Sequence, residues 1–155
     1  MTPKLQVKID GTSPITMFFI HGWPDGPDLW NALVENFSKN YRCVRVTLPN
    51  FGSSVDSKRG SSFPELVESI AETIQEVQKD QQNKKIILIG HDWGAYITYM
   101  LEMAHPELIE KVVTLDIGGH NKATSPGFIA FMTGYQWLLA SAWFAGRVSP
   151  KIGNF

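Results

Sequence analysis

The sequence predicts an α/β fold, a mostly parallel sheet with helices packed on both of its faces. Three observations carry that expectation. Short, nearly continuous apolar runs alternate with stretches whose apolar residues recur at helical spacing. Glycine or proline punctuates the changeovers. A chain of 155 residues, 43% hydrophobic and 19% charged, also has the composition of a globular domain with a real core. Strands joined in sequence by helices are brought back parallel to one another, which is why the alternation implies this architecture.

Each element follows from its residues. The run at 15–20 is stopped by His21-Gly22, the pattern of a strand buried on both faces. After the turn at 24–27, Trp30, Leu33, Val34 and Phe37 fall at i, i+3, i+4 and i+7, which predicts a helix with those four lining one face. Residues 42–48 alternate around Val44 and Val46, end at Pro49 and break into a Gly52-Ser53-Ser54 loop. Ser62 with Glu65 three positions on is a capping box, and Pro64 is tolerated in the first turn. Phe63, Leu66, Val67, Ile70, Ile74 and Val77 then form one apolar stripe. The run at 86–89 enters Gly90, and an amphipathic helix is expected from Trp93 to about Ala104, closed by Pro106. A last strand is expected at 112–117 before Gly118-Gly119.

Charge excludes some functions. Lys and Arg number 14 against 15 Asp and Glu, a formal net charge of −1. That leaves no field to gather nucleic acid, so no nucleic-acid partner is expected. Cys43 is the only cysteine and sits beside strand residues Val44 and Val46, so it reads as a core thiol rather than a disulfide. Residues 1–10 lack the apolar segment of a secretory signal, and a cytoplasmic, reducing location is expected.

Chemistry concentrates at Gly90-His91-Asp92-Trp93-Gly94, between a predicted strand and a predicted helix. In that context a Gly-x-nucleophile-x-Gly pattern is a tight turn whose neighbours cannot carry Cβ atoms and whose central side chain is lifted above the sheet edge. The plain structural alternative is a strand-to-helix turn with Asp92 as a helix cap. A second motif, His21-Gly22-Trp23-Pro24, follows the first buried strand. With these two motifs, and Asn50-Phe51-Gly52-Ser53-Ser54 after the next strand, the chain resembles the epoxide hydrolase and haloalkane dehalogenase branch of the α/β hydrolases.

The resemblance implies an α/β-hydrolase fold in which residues 1–120 form the N-terminal part of the core and 121–155 begin a helical cap. It implies Asp92 as nucleophile and the backbone N–H groups of Trp23 and Trp93 as an oxyanion hole. His21, Gly22, Pro24, Gly90, His91 and Gly94 support the two motifs, and neither cofactor nor metal is required. An aspartate side chain, with an ordinary pKa of roughly 3.9, is ionised at neutral pH and attacks without a base. Attack on an sp³ carbon yields an ester through Asp92, and hydrolysis of that ester forms an oxyanion on the aspartate itself. Each oxyanion donor is worth roughly 3 kcal/mol of barrier.

Epoxide and haloalkane substrates need different walls, an O–H acid for the leaving oxygen against N–H donors for a halide. Dehalogenases of this branch often carry asparagine where this sequence has Trp23, so an epoxide hydrolase is the preferred reading. Tyr135-Gln136 is similar to the Tyr-Gln pair that supplies an epoxide-polarising tyrosine in the cap, although Tyr135 also reads as one aromatic among Phe131, Trp137, Trp143 and Phe144. Residues 123–146 carry no charge and are long enough for a membrane span. Gly127, Thr133, Gly134, Gln136, Ser141 and Gly146 interrupt the run, and an apolar cap over a hydrophobic substrate is the better reading.

The family's water-activating histidine and its orienting acid come after the cap. His105 and His120 do not match that position; Asp116 could orient a base, but strand-end capping is preferred. The expectation is therefore a chain that alkylates once and stalls, with an exposed sheet edge that favours aggregation. The expected partners are a hydrophobic small molecule and water. A haloalkane dehalogenase, or a non-catalytic protein that binds an apolar ligand or a partner chain, are the alternatives.

Overall fold

The computed structural model describes residues 5–51, 61–116 and 125–148. Five strands, β1 (Gln6–Asp10), β2 (Thr16–Ile20), β3 (Arg42–Thr47), β4 (Ile86–His91) and β5 (Ile109–Leu115), alternate with helices α1 (Asn31–Phe37), α2 (Phe63–Val77) and α3 (Trp93–Ala104). The strands lie in the order β1-β3-β2-β4-β5. β2, β3, β4 and β5 run parallel, and β1 pairs antiparallel with β3. The chain divides into two compact units, Met1–Gly118 and Gly119–Phe155; the sheet belongs to the first.

Handedness explains the layering. From β2 the chain moves one way to β3, then crosses back over β2 to reach β4 and continues outward to β5. Right-handed crossovers therefore put α1 on one face and α2 and α3 on the other. Two buried clusters record this. Phe18, Ile20, Val44, Val46 and Leu88 pack with Ile70 and Ile74 of α2 and Ile97 and Leu101 of α3. Phe19, Cys43 and Ile89 pack with Trp30 and Val34 on the opposite face. The reversal makes the carboxyl ends of the neighbouring strands β2 and β4 the switch point of the sheet, where open α/β folds bind ligands. Cys43 is fully buried, and that burial pushes its thiol pKa up, as suits an inert core residue.

Several expectations are corrected in detail. β1 had no counterpart in the expected elements, because its burial pattern is that of an edge strand with Val7 and Ile9 still part-exposed. The helix after the Pro24–Pro27 turn opens with a 3₁₀ turn, Pro27–Trp30. Its tighter winding breaks the 3.6-residue phase, so Trp30 and Val34 are buried while Leu33 and Phe37 remain exposed. β5 starts at Ile109, earlier than residue 112, and Ile117 lies outside the described residues. The capping box of α2 forms as expected: the Ser62 N–H donates to Glu65 Oε2 at 2.9 Å, and the Glu65 N–H reaches Ser62 Oγ at 3.4 Å.

A buried ion pair ties the edge strand to the sheet. Arg45, 3% exposed, reaches Asp10 Oδ2 at 2.5 Å and also donates to Asn31 on α1. Removing the acid strands a buried charge, whereas removing the base leaves a carboxylate that water can reach. Asp10→Ala should therefore cost about 2 kcal/mol and Arg45→Met less than about 1 kcal/mol. Urea unfolding of the two variants checks this, and equal or reversed losses would contradict it.

The second unit contributes one described element, α4 (Pro126–Val148), on which Phe131, Trp137, Leu138 and Phe144 are largely exposed. Among the described residues no helix is long and apolar enough to cross a membrane. Glycines and polar residues dilute α4 as the sequence indicates.

Candidate active site

The two sequence motifs meet at the switch point. β2 delivers His21-Gly22-Trp23-Pro24 and β4 delivers Gly90-His91-Asp92-Trp93-Gly94, the sharp strand-to-helix turn or elbow, because Ile20 and Gly90 are register partners. Asp92 has φ 55 and ψ −124, a conformation rarely adopted by a residue with a side chain. Such strain costs of order 1–3 kcal/mol and persists only where surrounding structure imposes it. Here the Asp92 N–H donates to Leu115 O on β5 at 3.3 Å, while the Asp92 carbonyl accepts from the N–H groups of Ala95 at 2.9 Å and Tyr96 at 3.3 Å. The turn is thus pinned to the neighbouring strand and to the helix it starts.

Close approach explains the glycines. A Cβ on Gly94 would lie 2.5 Å from the His21 carbonyl oxygen and against the Ile20 carbonyl, so α3 could not sit this close to β2 with any other residue. A Cβ on Gly22 would lie 2.6 Å from Asp92 Cβ, inside the space the carboxylate occupies. Gly90 is similarly closed, by Gly94 O at 2.6 Å.

The Asp92 side chain makes no helix-capping hydrogen bond, which removes the capping alternative. Instead Asp92 Oδ1 accepts the backbone N–H of Trp23 at 3.0 Å. Trp93 begins α3, and the first amides of a helix have no carbonyl partner within it, so its N–H is a second donor at the same turn. The Trp23-Pro24 peptide is cis.

His21 is wholly buried. Its Nδ1 hydrogen-bonds with Gly22 O at 3.0 Å, and its Nε2 accepts the Leu48 N–H at 3.1 Å. Both ring nitrogens are therefore committed to holding the loops after β2 and β3 together, with the Nδ1–H tautomer implied. Burial, against smaller contributions from the Gly22 and Asp25 backbones and the Asp25 charge, holds its pKa below the usual 6.5. In the unfolded chain the imidazole titrates near 6.5, so over the interval below that value the unfolded state binds more protons. Stability is full above pH 6.5 and falls as pH drops toward the lowered folded pKa. The melting temperature of the native chain should decline between pH 7.5 and 5.5, and His21→Asn should flatten that decline. Parallel profiles would exclude the mechanism.

The remaining candidates are placed as follows. His91 Nε2 lies 3.6 Å from Asp116 Oδ2, and its ring packs edge-on against Trp30. His105 pairs with Glu68 at 3.1 Å at the far end of α3. Asp116, at φ 69 directly after β5, thus approaches the elbow through His91, a partnership the sequence does not signal. Tyr135 is a half-exposed residue of α4, in the second unit. His120 lies outside the described residues.

A cavity of about 360 Å³ opens beside the elbow, lined by Gly22, Trp23, Phe51, Phe63, Trp93 and Ile97 among others. None of its described lining residues is charged. Asn50 at its edge has φ 67, which asparagine tolerates better than most residues.

Comparison with known proteins agrees with this architecture. The sequence profile of the α/β hydrolase fold family matches residues 15–152. Epoxide hydrolase 4 of Mus musculus is 27% identical over 100 residues, 64% of this chain and 27% of that protein. Epoxide hydrolase 1 of Caenorhabditis elegans is 29% identical over 103 residues, 65% of this chain and 24% of its own length. Among solved structures, a marine microorganism esterase superposes with a TM-score of 0.72 at 21% identity, covering 89% of this chain and 50% of the esterase. The chain spans about a quarter of the length of these curated relatives and half that of the esterase. With that profile matched along most of its length and the parallel sheet described above, the chain belongs to the α/β hydrolase fold family.

Proposed function

We propose that the chain carries the nucleophilic half of an epoxide hydrolase. The observation that supports this best is the 3.0 Å hydrogen bond from the Trp23 N–H to Asp92 Oδ1. An enzyme whose nucleophile becomes an ester must stabilise an oxyanion on the nucleophile's own oxygen, and here a donor already rests on that oxygen. Oδ2 then attacks a carbon of the epoxide ring. A C–O bond forms to Asp92, the ring C–O bond breaks, and the ring oxygen takes a proton. Sequence resemblance assigns that proton to Tyr135. Water adds next to the ester carbon; Trp23 and Trp93 N–H groups meet the charge on Oδ1, and collapse releases a diol and restores the carboxylate.

Water addition needs a base. Among the described histidines, His21 has both nitrogens engaged, His105 is paired with Glu68 and the His91 ring is held against Trp30 and Asp116, so none of the three is taken as that base. The ester is therefore expected to accumulate on this chain. Intact-mass measurement after incubation with a reactive epoxide should show one adduct, which peptide mapping places on Asp92; adducts scattered over surface residues would refute the reading. A haloalkane would be attacked by the same carboxylate, and the part-exposed Trp93 indole gives that second reading its support. Halide release from simple haloalkanes distinguishes it.

A further inference from the structure

Three half-exposed aromatics stand together where the cavity meets the elbow. Phe63, Trp93 and Tyr96 are 38%, 41% and 43% exposed. Phe63 and Trp93 lie 5.7 Å apart with planes inclined at 32°, while Tyr96 stands near-perpendicular to both, at 5.1 Å from Phe63 and 6.1 Å from Trp93. Phe63 and Trp93 also line the cavity, with Trp23 and Phe51 as further aromatic walls.

Packing of α2 does not require Phe63. The helix buries Leu66, Val67, Ile70 and Ile74 against the sheet, and its start is secured by the Ser62–Glu65 box. Phe63 is left with aromatic neighbours and a part-exposed ring. Tyr96 is likewise on α3 but outside its buried stripe of Ala95, Ile97, Thr98 and Leu101. Their shared geometry is an edge-and-face arrangement that another flat ring extends, since aromatic rings prefer offset or edge-on partners. An alkyl chain gains the area but not the quadrupole match.

We infer that Phe63, Trp93 and Tyr96 form an aryl-binding wall, with Phe63 its specificity-determining residue, selecting substrates whose reacting carbon bears an aromatic substituent. The assignment of the reacting carbon to this position rests on the Asp92 reading; the ring recognition does not. The wall presents no charge, so the substituent it favours is a neutral arene.

The test uses the 155-residue chain. Adduct formation is timed by intact mass with styrene oxide and with 1,2-epoxyoctane, of equal carbon count, on the native chain, Phe63→Leu and Tyr96→Leu. The aryl-to-alkyl rate ratio should fall roughly two- to tenfold in each variant. Tryptophan fluorescence titrations with the unreactive 1-phenyl-1,2-ethanediol and 1,2-octanediol should show the same loss of preference in binding. Should Phe63→Leu fail to melt cooperatively, Tyr96→Leu, on a different helix, carries the comparison. Adducts on Asp92 with unchanged ratios in both assays would overturn the wall and leave the nucleophile standing. Selective loss of aryl-diol binding without any Asp92 adduct would do the reverse.

Discussion

Asp92→Asn is expected to fold as the native chain does and to form no epoxide adduct, with the alkylation rate down roughly 10⁴-fold or more. The substitution changes little else. Asparagine keeps the shape of aspartate, and its Oδ1 can still accept the Trp23 N–H. What it removes is the oxygen to which the proposed mechanism assigns the attack. Time-resolved intact mass with a reactive epoxide gives the rate, and a thermal melt shows whether the fold has survived. An adduct that grows at the native rate on Asp92→Asn would assign the alkylation to another residue and end the mechanism proposed above.

Much of this site is legible in the sequence because its parts are local. The elbow is five consecutive residues, and the glycine spacing states a steric requirement that matches the close approaches a Cβ would meet at Gly94 and Gly90. Buried parallel strands also announce themselves, since β2 and β4 are covered on both faces and read as apolar runs. β1 is the counterexample. An edge strand covered on neither face leaves only two part-exposed apolar residues within its bounds, Val7 and Ile9, and its place is set by Arg45, which sits 35 residues away in sequence.

Non-local contacts account for the rest. That Trp23 donates to Asp92 across 69 residues is implied by the family order of motifs, but its aim at Oδ1 appears only in three dimensions. The Leu115 carbonyl that holds the Asp92 amide uses a backbone atom, and backbone acceptors leave no trace in residue identity. Phe63 reads in the sequence as the first residue of an apolar stripe. Its ring in fact turns toward Trp93 and Tyr96, because a residue at the first helical position stands at the end of the stripe and not over the sheet.

Gly94→Ala should be a severely damaging single-methyl change, costing about 3 kcal/mol and lowering the melting temperature by roughly 6–12 °C. The added Cβ has no flexible neighbour to displace. It meets the backbone carbonyls of Ile20 and His21, which belong to the end of the central strand β2 and to the loop that carries Trp23. Relief requires α3 to lift from the sheet, and α3 places Ile97 and Leu101 in the core, so the strain spreads into burial already made. Helix propensity pulls the other way, since alanine is favoured over glycine by about 1 kcal/mol in a helix interior, and the predicted loss is net of that gain. Chemistry should suffer beyond stability. Lifting α3 carries the Asp92 carbonyl bonds to Ala95 and Tyr96 with it and separates Oδ1 from the Trp23 N–H. At temperatures where the variant is still fully folded, alkylation by Gly94→Ala should therefore be at least tenfold slower than native; a variant as stable and as reactive as the native chain would show that the elbow does not depend on the close approach of α3 to β2.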